Sequence, residues 1–315
     1  MTVPFVIAVA VLLGLLFFLV QQVRRSPGPP QWGRIPRSGK RLRVSLAAIF
    51  LFLGGLAFWT VFIEPNRLVV RQQAIQIDNW PQELNGLRIA VIADLHAGAP
   101  FIAEKKLRLI IQRTNELRPD LIVILGDYMT GNGWLRQTME PEVFAPILKD
   151  FSAPLGVYSV LGNHDWWYGG RKVRAGLEQH GIKVLDDEVV QVSTRGTSLW
   201  LAGLADLWTR PQHIEETINK VPEGATVIAL THNPDIFPRL PQRVPLLLAG
   251  HTHGGQVRFP LIGSVVHSSK VGERYEMGHV FENNHHLFVT TGIGTSILPM
   301  RFGVPPEIVL LTLSH

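Results

Sequence analysis

The stretch Leu87-Arg-Ile-Ala-Val-Ile-Ala-Asp-Leu-His96 decides the fold of this 315-residue chain. It is a short apolar run that is followed at once by two side chains able to bind a metal ion. Short apolar runs that end in glycine or polar residues are typical of fully buried strands. The stretch therefore predicts a buried strand whose carboxyl end carries Asp94 and His96.

The same pattern recurs further along the chain. Apolar runs at 121–125, 157–161, 226–230 and 244–249 lead to Gly126-Asp127, Gly162-Asn163-His164-Asp165, Thr231-His232-Asn233 and Gly250-His251-Thr252-His253. Helices are predicted at 104–117, 141–151, 170–180 and 211–220. Further strands, which could belong to a second sheet, are predicted at 286–290 and 307–313. In α/β sheets of alternating strands and helices, ligands collect at the carboxyl ends of the strands. The sequence therefore predicts an α/β fold that brings these polar side chains to one edge.

The side chains at the five strand ends indicate metal chemistry. They are Asp94, His96, Asp127, Asn163, His164, His232, His251 and His253. Carboxylate, imidazole and amide oxygen together suit Mn, Fe, Zn or Co better than Mg or Ca. The set is too large for one cation with open solvent positions, so we expect two divalent cations that share a carboxylate. Such a pair clamps the attacking and leaving oxygens of a phosphate ester and supplies hydroxide near neutral pH.

Three other kinds of site are excluded by the sequence. The chain has no cysteine, which excludes a thiol nucleophile and a cysteine-ligated zinc or iron–sulfur site. It also lacks the glycine-rich Walker loop that cradles nucleotide phosphates.

The ordered motifs resemble the calcineurin-like metallophosphoesterase superfamily. The resemblance is carried by Asp94-x-His96, Gly126-Asp127, Gly162-Asn163-His164-Asp165, His232 and Gly250-His251-x-His253. The longer strings at 162–167, 250–260 and 292–307 look like its bacterial membrane-associated branch. The match covers residues 65–315 and implies a four-layer α/β/β/α sandwich with a dimetal site at one sheet edge.

The resemblance also implies a role for each motif residue. One metal would be held by Asp94, His96, Asp127 and His253, and the other by Asp127 as the bridge with Asn163, His232 and His251. His164 matches the histidine that contacts the scissile phosphate and protonates the leaving oxygen. Asp165, where many relatives carry glutamate, is expected to orient the His164 imidazole and raise its pKa, because a neighbouring carboxylate favours the charged ring.

A few further residues are weaker candidates for contact with a substrate. Arg258 and Arg301 can contact a substrate phosphate, since guanidinium groups match phosphate oxygens, or can form structural ion pairs instead. The aromatic run Trp166-Trp167-Tyr168 either forms an apolar lip for a lipid tail or packs under a loop. The histidines outside the strand-end pattern are predicted not to be ligands; they are His267, His279, His285 and His286.

The first sixty-three residues read as a membrane anchor. Residues 3–23 and 44–63 are uncharged apolar runs, each long enough to span the hydrocarbon core of about 30 Å. The loop 24–43 between them carries seven basic residues and no acid. Its charge of +7 is larger than the net charge of the whole chain, which is +5. The remainder is slightly acidic, so no nucleic-acid partner is expected. A cleaved signal peptide for the first run and a buried core helix for the second are the alternatives.

The basic loop also predicts a topology. Loops rich in lysine and arginine stay in the cytoplasm, so a domain at 64–315 would face the periplasm or the exterior. We therefore expect a multi-pass protein of the bacterial inner membrane, with two transmembrane helices ahead of the catalytic domain.

The resulting hypothesis is a membrane-anchored dimetal phosphohydrolase that cleaves phosphodiester or pyrophosphate bonds of lipid-linked substrates. The alternatives are a UDP-2,3-diacylglucosamine hydrolase of lipid A biosynthesis, a nuclease or protein phosphatase, and a non-catalytic metal-binding partner protein. The lipid A alternative conflicts with the predicted topology, because nucleotide–sugar lipids are made on the cytoplasmic side.

Overall fold

The computed structural model of the protein describes residues 37–131, 138–194, 196–264 and 267–315. The chain divides into two units between Ile63 and Glu64. The predicted first span 3–23 and the loop residues 24–36 lie outside the described residues.

The described part of the first unit is one helix, α1 (Arg37–Phe58), which continues as a π-helical turn at Trp59–Ile63. From Val44 onward most of its large apolar side chains are exposed, among them Leu51 and Phe52. Within the described residues, Arg43–Asn66 is long and apolar enough to cross a membrane by length and composition alone; its mean hydropathy is 2.4 and no residue of its most apolar part is buried. The helix includes residues 37–43 of the predicted loop 24–43, which corrects that boundary. Arginine and lysine are good helix formers, so the basic residues are compatible with this helix.

The second unit contains strands and helices in alternation. Its strands are β1 Val69–Gln76, β2 Leu87–Ile92, β3 Leu121–Leu125, β4 Val157–Val160, β5 Lys183–Val184, β6 Glu188–Thr194, β7 Thr197–Gly203, β8 Thr226–Leu230, β9 Leu246–Ala249, β10 Arg258–Phe259, β11 Gly263–Ser264, β12 Gly278–Glu282, β13 His285–Val289 and β14 Glu307–Ser314. Its α-helices are α2 Glu104–Glu116, α3 Pro141–Leu148, α4 Asn163–Gln179 and α5 Ile214–Asn219. Short 3₁₀ turns lie at Glu64–Asn66, Gln82–Leu84, Pro234–Arg239, His253–Gly255 and Gly272–Tyr275.

Two six-stranded sheets form the body of this unit. The first has the order β1-β14-β2-β3-β4-β5, and the second β12-β13-β9-β8-β7-β6. Strands β2 to β5 run parallel, and β14 lies antiparallel to β2 but parallel to β1. Strands β7, β8, β9 and β13 are parallel, whereas the outer strands β6 and β12 are antiparallel to their neighbours. Each sheet therefore has a parallel centre whose strands end at the same edge.

The central strands are apolar along their whole length because both of their faces are buried. Side chains alternate between the two faces of a strand. In β2, Ile89 and Val91 belong to the apolar core that both sheets share, whereas Ala90 and Ile92 belong to the core beneath the helices. This two-sided burial accounts for the unbroken apolar runs in the sequence.

The cores also show the order of the layers. Leu107 of α2, Phe144 of α3 and Val173 of α4 pack on the outer face of the first sheet. On the far side, Ile214 of α5 and Phe237 of a 3₁₀ turn cover the outer face of the second sheet. Helices, sheet, sheet and helices therefore follow one another, and the predicted α/β class is confirmed.

The strands predicted at 286–290 and 307–313 are confirmed, the first of them as β13 of the second sheet, but the apolar pattern did not show how the strands divide between the sheets. The five motif-bearing runs divide between the sheets, with β2, β3 and β4 in the first and β8 and β9 in the second. The segment 307–313 is β14, which lies inside the first sheet and not in a second one. Apolar periodicity shows that a strand is buried, but it carries no information on which strand becomes its neighbour.

One helix begins earlier than predicted. The sequence favoured a start at residue 170, but α4 begins at Asn163 and continues across a kink at Gly169, where φ is 146°. The Gly162-Asn163-His164-Asp165 motif is therefore the start of a helix and not a free loop.

Candidate metal centre

Two groups of buried metal-binding side chains lie where β2, β3, β8 and β9 end. The first cluster is Asp94, His96 and His253, and the second cluster is Asp127, His232 and His251. Within each cluster, one ligand atom from every residue lies within 4.8 Å of the others. The structure thus brings six of the seven predicted ligands into two compact groups drawn from both sheets.

Unusual backbone geometry turns these side chains toward one another. Five of the six cluster residues have a positive φ: Asp94 (55°), His96 (46°), Asp127 (55°), His251 (71°) and His253 (51°). Positive φ is uncommon for residues other than glycine, and such strain concentrates at functional sites. The chain therefore adopts a costly backbone where the candidate ligands leave their strands.

Glycines allow the strand ends to approach closely enough. A Cβ atom on Gly162, after β4, would lie 2.2 Å from Oδ1 of Asp127. A Cβ atom on Gly250, after β9, would lie 2.6 Å from the Cβ of Ala93, which directly follows β2 of the other sheet. Any side chain at these two positions would push apart the segments that carry the ligands.

In the first cluster, the ligand atoms face one another directly. Nε2 of His96 lies 3.2 Å from Nε2 of His253, which lies 3.6 Å from Oδ1 of Asp94. Nδ1 of His96 donates to the backbone oxygen of Met129 at 2.7 Å. This bond fixes the tautomer and leaves a lone pair on Nε2, as in histidines that bind metals.

The second cluster has the same construction. Nδ1 of His232 donates to the backbone oxygen of Leu125 at 2.7 Å, which leaves Nε2 free to bind. That Nε2 lies 3.2 Å from Oδ2 of Asp127 and 3.0 Å from Nδ1 of His251. The same Asp127 oxygen lies 3.8 Å from Nε2 of His96, so its carboxylate stands between the two clusters.

Unpaired oxygens show that the site suits cations. Oδ1 of Asp94 and Oδ1 of Asn163 are buried and have no hydrogen-bond partner among the described residues. The backbone N–H of His164 donates to Oδ1 of Asp127, which places Asn163, the preceding residue, beside the second cluster. A buried polar atom without a partner is costly, and coordination of a cation would remove that cost. The donors present therefore fit two divalent cations.

Burial shifts the pKa values of these groups strongly. It raises the pKa of the Asp94 carboxyl to about 7 and lowers the pKa values of His96 and His251 to about 4 and about 3. Burial also opposes charge on His232, but the Asp127 carboxylate outweighs it and raises the His232 pKa to about 10. Without cations, a proton on His232 therefore neutralises Asp127, and metal binding must release it.

His164 lies at the accessible side of both clusters. Its side chain is 13% exposed, and Nε2 lies 3.9 Å from Oδ2 of Asp127. Its ring packs edge-on against that of His96 at a centroid distance of 5.0 Å. Burial lowers the pKa of His164, and its Nδ1 has no hydrogen-bond partner among the described residues. Its role as a proton donor stays a prediction.

The predicted role of Asp165 was wrong. Oδ2 of Asp165 accepts from the backbone N–H groups of Asp127 and Gly162, and Oδ1 accepts from that of Met129. The carboxylate does not orient the His164 imidazole, because successive residues of a helix do not face each other. Asp165 instead ties the segment after β3 to the start of α4.

The two arginines make structural contacts; substrate binding by the buried Arg301 is ruled out, whereas that by Arg258, whose side chain is 31% exposed, stays a prediction. Arg301 is completely buried and donates to the backbone oxygens of Thr291, Gly294 and Val304, with Nη2 3.2 Å from Nδ1 of His253. It therefore supports the first cluster from behind. Arg258 forms an ion pair with the buried Glu276, at 3.1 Å.

The remaining predicted non-ligands lie elsewhere. His267 contacts Glu276, His279 stacks on His286, and Nδ1 of His285 bonds the backbone oxygen of Val244. None of the four belongs to a cluster found in the part of the chain that the structure describes.

Two exposed tryptophans, which we call the aromatic rim, stand beside the clusters. Trp167 contacts His164 at a ring-centroid distance of 5.0 Å, and Trp208 contacts His251 at 4.3 Å. Trp166, in contrast, packs against the core. Sequence reasoning missed Trp208, although Asp206 and Thr209 around it are a signal for a fixed turn.

The comparisons with known proteins agree with this geometry. Residues 87–255 match the family model described as calcineurin-like phosphoesterase. The chain belongs to this family. Because the family and the two clusters agree, the protein is a metal-dependent phosphoester hydrolase.

Three relatives are similar in sequence to most of this chain. YkuE of Bacillus subtilis (strain 168), named an uncharacterized metallophosphoesterase, is 30% identical over 85% of this chain and 93% of its own length. Phosphodiesterase YaeI of Escherichia coli (strain K12) is 30% identical over 72% of this chain and 82% of its own. A Danio rerio protein named transmembrane protein with metallophosphoesterase domain is 32% identical over 76% of this chain but only 56% of its own length.

Proposed function

We propose that the protein hydrolyses phosphodiester or pyrophosphate bonds with two divalent cations. The observation that carries this proposal is the position of Asp127, whose Oδ2 lies 3.2 Å from His232 and 3.8 Å from His96. A carboxylate between two sets of ligands is what a shared bridge requires. The preference for diesters draws support from the relative named phosphodiesterase YaeI.

The residues divide into two ligand sets. Asp94, His96 and His253 would hold one cation together with Asp127, and the second set is Asp127, Asn163, His232 and His251. When bound, the cations supply Lewis acidity and a nucleophilic water near neutral pH. Mn, Fe, Zn and Co suit this mixture of carboxylate, imidazole and amide oxygen.

His164 and Asp165 would have different roles beside the ligands. The His164 imidazole borders both clusters and is partly accessible, so it can hand a proton to the leaving oxygen of an ester bound there. Asp165 acts as a positioning residue, because its carboxylate holds the backbone of Asp127 and Gly162.

The proposal extends to the membrane. We infer that the apolar stretch Arg43–Asn66, with the predicted span 3–23, anchors the domain 64–315 in the bacterial inner membrane. Support comes from its mean hydropathy of 2.4 and from the relative named as a transmembrane protein. The basic residues at the start of α1 favour a cytoplasmic start and hence a periplasmic or exterior domain. An enzyme held at a bilayer meets lipid-linked phosphoesters at high local concentration.

The catalytic proposal is tested by turnover of bis-p-nitrophenyl phosphate with Mn²⁺. Asp127→Asn keeps the shape of the side chain but removes its charge, so we expect turnover to fall on the order of 10³-fold, equivalent to several kcal/mol of lost electrostatic stabilisation. The control is Asp150→Asn, which changes an exposed carboxylate outside the ligand set. Equal turnover by Asp127→Asn and the wild type would refute the site.

The membrane proposal is tested by fusing a reporter after residue 315. A reporter that is active only outside the cytoplasm should be active, and activity of only a cytoplasmic reporter would contradict the topology. The lipid proposal is tested by incubating the full chain with a lipid extract and following the products by mass spectrometry. We expect at least one phospholipid to be consumed by the wild type and not by Asp127→Asn; consumption of water-soluble esters alone would refute a lipid substrate.

A further inference from the structure

The aromatic rim consists of two large side chains that the fold leaves in solvent. Trp167 is 59% exposed and Trp208 is 45% exposed. They come from different parts of the chain, yet their ring centroids are 6.4 Å apart, and their planes make an angle of 32°. Each ring also contacts a histidine of the candidate site, His164 or His251. Exposed aromatic surface of this kind beside a polar site marks a place where ligands bind.

The segment that carries Trp208 is fixed although its ring is exposed. Oδ2 of the buried Asp206 accepts hydrogen bonds from the backbone of Trp208 at 3.2 Å and of Thr209 at 3.0 Å, and from the Thr209 hydroxyl at 2.7 Å. The side-chain amide of Gln212 donates to the backbone oxygens of Ala205 and Asp206. The indole is therefore presented by a rigid turn, so a ligand pays little ordering entropy to contact it.

The two tryptophans are also held at a fixed separation. The guanidinium of Arg210, two residues after Trp208, lies 4.5 Å from the ring centroid of Trp166. Trp166 in turn packs on the core and directly precedes Trp167 in α4. This cation–π contact joins the Trp208 turn to the first turn of the helix.

We propose that Trp167 and Trp208 form a binding surface for a planar aryl ring of the substrate. The inference rests on the proposed function, since the group is recognised as part of a phosphoester held at the clusters. Because each indole contacts a site histidine, a ring stacked on the rim must belong to the part of the ester next to its phosphorus.

The chemistry of tryptophan favours a planar ring over an alkyl chain. Stacking a base on an aromatic side chain contributes about 1–3 kcal/mol, whichever base it is. A flexible chain covering the same indoles must give up rotational freedom at each carbon, which offsets part of the gain. The rim thus distinguishes substrates by the flatness of the group beside the phosphate.

Calorimetric titration of the Mn²⁺-loaded full chain tests the inference without depending on turnover. The probes are phenyl-, cyclohexyl-, methyl- and octylphosphonate, which share the phosphorus group and differ in the attached substituent. We expect phenylphosphonate to bind about tenfold more tightly than cyclohexylphosphonate, within the range expected for stacking. Trp167→Leu and Trp208→Leu should each lower this ratio severalfold, whereas Trp208→Phe should keep most of it.

Phe281→Leu is the matched control, because Phe281 is an exposed aromatic residue on β12 that also contacts a histidine, His286. It should leave the phenyl-to-cyclohexyl ratio unchanged. Equal binding of the two probes by the wild type, or an unchanged ratio in both leucine variants, would overturn the inference. Tightest binding by octylphosphonate, lost in the leucine variants, would assign the rim to an acyl chain and also overturn it.

Turnover of bis-p-nitrophenyl phosphate by the same preparations keeps the two proposals separate. Turnover that depends on Asp127 supports the hydrolase whatever the phosphonate ratio is. Phosphonate selectivity that depends on the rim, in a protein without turnover, supports the aromatic surface and counts against the proposed function.

Discussion

The two clusters have nearly the same ligand types but very different surroundings. The first cluster lies against Arg301, which is completely buried and reaches His253 from behind. In the second cluster, His251 contacts Trp208, which is 45% exposed. The difference indicates that the first cluster is supported by a buried arginine, on a side that we call the closed half, while the second cluster borders an exposed indole, on a side that we call the open half. Changes behind the first cluster should therefore affect stability, and changes around the second should affect rate and selectivity.

The largest effect is expected from removing one ligand of either cluster. His253→Ala and His251→Ala should each reduce turnover on the order of 10³-fold, because a cation and its electrostatic stabilisation are lost. Metal analysis after dialysis should find about one cation per chain in place of two. His253→Ala should also lower the melting temperature, because it leaves a cavity and an unpaired donor beside the buried Arg301. If both variants retained two cations, the assignment of His251 and His253 as metal ligands would be refuted.

The sequence was sufficient to predict the strands and the residues at their ends. Apolar runs such as 121–125 can only be buried, and the polar residues that follow them must then lie at a sheet edge. It was not sufficient to predict that these ends come from two sheets, since the period of a strand says nothing about its partners. The left-handed backbone of the ligand residues could not be predicted either, because aspartate and histidine occur in many other backbone conformations.

Arg301, Asp165 and Trp208 show where side-chain reasoning failed. An arginine is rarely fully buried, and nothing nearby in the sequence shows that Arg301 finds acceptors at Thr291, Gly294 and Val304. Two of the three backbone partners of Asp165 lie 36 and 38 residues away. Such contacts depend on tertiary structure and cannot be read from spacing.

A smaller effect, on stability, is expected at the closed half. Arg301→Met removes the donors to three buried carbonyl oxygens and to His253, so we expect the free energy of unfolding to fall by about 3–5 kcal/mol. Thermal and denaturant unfolding would measure the change. The control Arg108→Met removes an arginine that is 55% exposed, and its effect should stay below about 1 kcal/mol. Equal stability losses in the two variants would contradict the supporting role of Arg301.

The smallest effect is expected at the open half. Asp206→Ala removes the acceptor that fixes the Trp208 turn, which should cost about 1 kcal/mol, as for loss of a helix cap. The phenyl-to-cyclohexyl binding ratio should fall about twofold to threefold, because the indole is less ordered. Asp78→Ala, at an exposed position between β1 and β2, serves as the control. An unchanged ratio in Asp206→Ala would show that the turn does not position the rim.

Anomalous diffraction from a crystal of the full chain soaked in manganese tests the central claim most directly. The account predicts two peaks about 3.5–4 Å apart, the separation of cations that share a phosphate ester. One peak should lie among Asp94, His96 and His253, the other among His232, His251 and Asn163, with Asp127 between them. A single peak, or two peaks without Asp127 between them, would contradict it.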